Sequence, residues 1–175
     1  MISIAIDEQK RASGAAEVHP DYALVRKRVA LLNVSAEGRW RISGENALQA
    51  LNALFSLDLE IVPRWQGVSG LFLREDASVL AIATIFRSDQ DWYVFTEAVT
   101  AVVLHDYLHA GLDSAGVQIM NLADSHDWFC VVGPDAQAAM AAAAGDDILG
   151  MRYFSFEQNL SLGLPVFRMG FCGEY

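Results

Sequence analysis

The chain has 175 residues, 53% hydrophobic and 19% charged, with four Trp and nine Phe. This composition fits one globular domain or two small interleaved ones, and it excludes a disordered or fibrous chain. The formal net charge of −10 repels phosphate backbones, so no nucleic-acid partner is expected.

The first 20 residues read as a short edge strand or loose arm ending at His19-Pro20. Asp7 and Glu8 make this start unlike a secretory signal. No apolar run approaches the roughly 20 residues that cross a bilayer, so no membrane association is expected. Tyr22, Val25, Val29 and Leu32 recur at helical spacing, which predicts a helix over 21–31 with Asp21 as cap. Arg26, Lys27 and Arg28 read as its solvated basic end, with Arg39 and Arg41 close behind.

Residues 38–43 alternate polar and apolar, a strand with Trp40 and Ile42 on one face. A helix follows over about 45–55, turning Ala47, Leu48, Leu51, Leu54 and Phe55 inward. Strands at 67–73 and 79–87 flank the polar turn 74–78, which predicts a hairpin. A third strand at 92–96 precedes a helix over 98–110 stopped by Gly111, then a strand at 117–122. The rhythm is that of an α+β sheet with two helices on one face.

Beyond it, 127–132 is strand-like and carries Cys130 as an expected buried thiol. Pro134 opens an Ala-rich helix that Gly145-Asp146-Asp147 ends, and strands follow at about 148–156 and 164–171. Cys130 and Cys172 form no CxxC pair, which fits a reducing, cytoplasmic setting without disulfides.

Candidate chemistry is sparse. His105 and His109 share a helix face, but no third ligand is evident, and the reading is a surface pair with no metal. Asp124-Ser125-His126-Asp127 matches a triad only in composition and reads as a turn. There is no phosphate-cradling glycine loop. The segment Arg168-Met169-Gly170-Phe171-Cys172-Gly173-Glu174-Tyr175 is more informative. Its glycines allow close approach to a flat ligand, and a carboxylate there can accept paired N–H donors from a pterin-like ring.

That segment resembles the R-x-G-[YF]-[TS]-G-E motif of the aminomethyltransferase (glycine-cleavage T-protein) family. The resemblance extends back through Leu32-Asn33-Val34-Ser35, the 38–62 run, the 67–98 hairpin and strand, and Gly133-Pro134-Asp135-Ala136. It implies a T-protein-like α+β fold. A ferredoxin-like unit (45–122) would be inserted in a second, incomplete unit made of 1–44 and 123–175. It also implies tetrahydrofolate, or a related reduced pterin, as ligand, and one-carbon (aminomethyl) transfer as the chemistry.

The departures from the family are specific. The family hairpin carries Gly-Gly-x-x-Asp-Asp, and this chain has Ala77-Ser78-Val79-Leu80-Ala81-Ile82, with Ala81 at the catalytic Asp position. Ser69 replaces a Tyr and Glu97 an Asn. The resemblance therefore implies Glu174, Glu97 and Arg168 as ligand-binding candidates and no catalytic residue. The expected role is a folate-binding subunit completed by a second chain or by a homo-oligomer. The alternatives are an active transferase using Glu97 or Asp76 as acid, and a structural or assembly subunit that kept the fold and lost the ligand.

Overall fold

A computed structural model describes residues 20–112 and 116–170. The expected N-terminal arm, Cys172 and Glu174 lie outside the described residues. In chain order the elements are α1 (Pro20–Lys27), β1 (Ala30–Asn33), β2 (Gly38–Ser43), α2 (Ala47–Leu54), β3 (Gln66–Leu73), β4 (Val79–Arg87), β5 (Asp91–Thr96), α3 (Ala98–Leu112), β6 (Gln118–Asn121), β7 (Phe129–Val132), α4 (Ala136–Ala144), β8 (Ser155–Asn159) and β9 (Leu164–Arg168). The class is α+β, as the residue pattern predicts.

The chain divides into two compact units. One comprises residues 1–34, 128–149 and 170–175; the other comprises 35–127 and 150–169. In the first, β1 and β7 form an antiparallel ribbon. The predicted helix over 21–31 ends early at Lys27, and Ala30–Asn33 extends as β1. The pairing of Leu31 with Val131 decides this, a partner about a hundred residues away that local spacing does not reveal. Gly133, after β7, has φ +113, and a Cβ there would meet the Arg28 carbonyl oxygen.

The second unit is a seven-stranded antiparallel sheet in the order β6-β2-β5-β4-β3-β8-β9. Its first five strands, with α2 and α3 crossing between them, make a ferredoxin-like arrangement with one strand more. This unit is wider than the expected limits of 45–122. β2 stands second in the sheet, paired with both β5 and β6, and the β8–β9 hairpin belongs to the unit.

One sheet face carries Trp40, Ile42, Ala83, Ile85, Trp92 and Val94 against Leu51, Leu104, Leu108 and Leu112 of the helices. Burying that row is the main stabilising contribution to the unit. Gly111 does not stop α3, which continues to Leu112. Its missing side chain instead admits Leu54 of α2, whose Cδ1 lies 2.7 Å from where a Cβ would stand.

The other face is closed over β4 and β5 by the β8–β9 hairpin. That hairpin joins β3 at Gln66–Ser155 and then folds back. Phe156 and Phe167 lie 4.8 Å apart and stacked, and both meet Phe86 and Tyr93 edge-on. Gly67 makes room for the Phe86 ring.

Candidate functional site

Strand alternation assigns each candidate residue to a face of the second unit's sheet. The β3–β4 hairpin turns at 74–78, where Asp76 accepts from the Ser78 backbone N–H at 2.9 Å. Hydrogen bonds from Ser78 hold the Asp76 carboxyl below its usual range. That carboxylate braces the turn and stays ionised, which makes it a poor proton donor. Ala77 has φ +64. It keeps the left-handed backbone that suits the family's glycine, although the side chain has changed.

After the turn, Ala81 is 2% exposed and packs in the core on the helix side, opposite Phe72. A carboxylate at 81 would be desolvated there. The next residue, Ile82, leaves the sheet on the opposite face and is 56% exposed. Of the two positions where the family has Asp-Asp, the one that faces outward on the hairpin side is therefore 82, and it is apolar. Ser69 shares this face and lies 2.7 Å, oxygen to oxygen, from Thr84.

Glu97 follows β5 at the entry to α3 and is exposed. Gly38 pairs with Thr96, and Ala83 pairs with Thr96 on the other side. Extending that register sets Glu97 beside Glu37 in one direction and beside Ile82 in the other. Burial and the Glu97 carboxylate push the Glu37 carboxyl up, against the pull of Arg39. A raised carboxylic acid facing Glu97 is a feature that sequence reasoning missed. The available signal was its place two residues ahead of Arg39 in a β-alternating run.

Arg39 is not part of a solvated basic cluster. It is 2% exposed and donates to the carbonyl oxygens of Ser35, Glu37 and His126. It thus ties the start of this unit to the end of its first segment. Arg168 donates to the Met151 carbonyl oxygen, a structural tie across the hairpin base. The structure brings Glu97, Glu37, Ile82, Thr84 and Ser69 onto one face and leaves Arg168 bound to backbone.

The histidine pair lies beside Trp40. His105 Nδ1 accepts from the Trp40 indole at 3.1 Å, which occupies one lone pair, and among the described residues no group of three potential ligands occurs. The 124–127 segment is a short 3₁₀ turn followed by exposed residues, as the sequence suggests. Cys130 is half-buried rather than fully buried. No helix among the described residues is long and apolar enough to cross a membrane.

The outward-facing end of the hairpin, a ferredoxin-like sheet with an added strand and the aromatic hairpin folded over it define an α+β unit of the T-protein kind. Residues 8–175 match the family described as the GCVT N-terminal domain, and the chain belongs to that family. Aminomethyltransferases from Thermotoga petrophila and Streptomyces coelicolor are 22% and 23% identical to it over 153 and 157 residues. These alignments take in 86% and 88% of this chain, which spans about 42% of the length of either relative. The aminomethyltransferase T of the glycine cleavage system from Bartonella henselae has the same fold, with a TM-score of 0.78 at 19% identity over 87% of this chain and 41% of that one. A chain of the heterotetrameric sarcosine oxidase from Corynebacterium sp. U-96 aligns with a TM-score of 0.59 at 15% identity, over 86% of this chain and 80% of that one.

Proposed function

We propose that this chain is a tetrahydrofolate- or pterin-binding unit of one-carbon (aminomethyl) transfer that lacks the family's hairpin carboxylate and works with a partner chain. The observation that carries the reading is the pair at the hairpin. Ala81 is sealed in the helix-side core and Ile82 is the outward-facing residue, so neither position can move a proton or steady a developing cation. Glu97, beside Ile82, and Glu174 are the carboxylates assigned to the ligand, with Glu174 as the pterin-ring partner. Arg168 serves the site by fixing the hairpin base through Met151. One finding favours a partner: a chain of a heterotetrameric enzyme carries the fold over most of its own length.

Calorimetric titration of the whole chain with tetrahydrofolate, repeated on Glu174→Ala, tests the ligand. Saturable binding that the substitution abolishes, together with no aminomethyl turnover by the chain alone, is the expected result. Turnover by the chain alone would overturn the loss of catalytic machinery. Failure to bind folate, with and without co-purifying protein, would overturn the ligand assignment.

A further inference from the structure

The hairpin-side face of the sheet has a second open region, at the far end of β2 from Glu97. Arg41 pairs across β2 with Tyr93 on one side and Met120 on the other, and Ser43 pairs with Asp91 and Gln118. A hollow of about 420 Å³ lies there, lined by Arg41, Ser43, Gln118, Ile119 and Met120. A second hollow, of about 350 Å³, adjoins it on the other side of Arg41 and is lined among others by Asp91, Tyr93 and Trp65.

We propose that the first hollow binds a small organic carboxylate, with Arg41 as its anchor. Asp91 Oδ2 accepts from Arg41 Nε at 2.9 Å and lies 2.7 Å from Nη2. One edge of the guanidinium is thereby fixed. Asp91 lines only the second hollow, whereas Arg41 lines both. Nη1 has no acceptor among the described residues, and the side chain is 44% exposed. A guanidinium held on one edge loses little freedom when its other edge takes a carboxylate in the planar, paired geometry that suits it. The Ser43 hydroxyl and the Gln118 amide line the same hollow and can complete the anion's shell, and Met120 offers apolar contact to an alkyl group.

This site does not belong to the proposed pterin end. Three residues of β5 lie between Tyr93 and Glu97, and the four steps span about 14 Å of strand. Arg39 and Phe95 lie buried between the two ends. The two proposals therefore stand or fall separately.

The test is an NMR titration of the whole, ¹⁵N-labelled chain with sodium propionate, with propionamide and sodium chloride as controls. Saturable shifts confined to Arg41 Nε–H, the Gln118 side-chain amide and the backbone of residues 41–43 and 118–120 are expected. Propionamide, which keeps the shape and loses the charge, binds about tenfold more weakly or worse, and Arg41→Gln costs a similar factor. Because Arg41→Gln also frees Asp91, a Ser43→Ala/Gln118→Ala variant that keeps Arg41 provides a second reading and should weaken propionate by about threefold or more. Equal binding of propionate and propionamide would overturn the proposal. So would shifts that do not saturate or that sodium chloride reproduces, or undiminished binding in both variants.

Discussion

A single residue step separates two chemical outcomes at the β3–β4 hairpin. Ala81 faces the helices and Ile82 faces outward, because successive side chains of a strand leave opposite faces. The sequence shows Ala81 and Ile82 side by side; it does not show which of them faces outward. The same parity buries Arg39. Its alternation puts it opposite Phe95, in the part of the face that is closed, and three carbonyl oxygens accept from its Nη1 and Nη2. Arg39→Met leaves those carbonyls without a partner and should destabilise the chain by about 3 kcal/mol or more in urea denaturation. Glu37 gives a prediction of the opposite sign. Its carboxyl is raised in the folded state. A folded value above the unfolded one favours the folded state while the group is protonated, and this advantage is lost as pH rises through the folded value. Glu37→Gln should therefore raise the melting temperature at pH 7, with the gain shrinking as pH falls toward the ordinary glutamate range. An equal gain at every pH would mean that titration of Glu37 is not the cause.

At the scale of elements, periodicity located β2, β4, β5, α2 and α3 to within two or three residues, because each has one clearly apolar face. It failed where long-range pairing or packing competes with local pattern. β1 was taken into the preceding helix, and Gly111 was read as a stop where it is a contact between helices. The strand predicted over 148–156 begins only at Ser155, with a 3₁₀ turn over Asp146–Gly150 before it. The β8–β9 hairpin shows how aromatic residues work outside a helix-packed core. Phe86 is fully buried between Phe95, Phe156 and Phe167. Phe86→Ala should cost about 3–5 kcal/mol by cavity formation. Leu160, 96% exposed near the hairpin's tip, supplies the control, and Leu160→Ser should change stability by no more than about 0.5 kcal/mol. A similar loss from both would show that the hairpin is not anchored through its aromatic base.

At the scale of the whole molecule, the two units are unequal. The second has seven strands and two helices around a continuous apolar core, whereas the first has a two-stranded ribbon with short helices. A two-stranded ribbon is marginal by itself, so amides of β1 and β7 should exchange with solvent before those of β4 and β5. Gly133→Ala would sharpen the contrast. A Cβ there stands 2.4 Å from the Arg28 carbonyl oxygen, at a φ that alanine resists. Hydrogen exchange of that variant should show faster exchange in β1 and β7 and unchanged protection in β4 and β5. Loss of protection throughout would mean that the two units open as one.

The sequence by itself determined the α+β class, most of the regular elements and the resemblance to the family, because each is written in local spacing or in residue identity. Only the tertiary structure decided which face each side chain occupies. It seals Ala81 and Arg39, exposes Ile82, sets Glu37 beside Glu97 and places Arg41, held by Asp91, in the lining of two hollows. Those outcomes depend on strand register and on a hairpin folding back from more than sixty residues along the chain. A one-residue shift in register would exchange the two faces; alternation marks the apolar face of 38–43, but β4 has apolar residues at both parities and its local pattern does not make that choice.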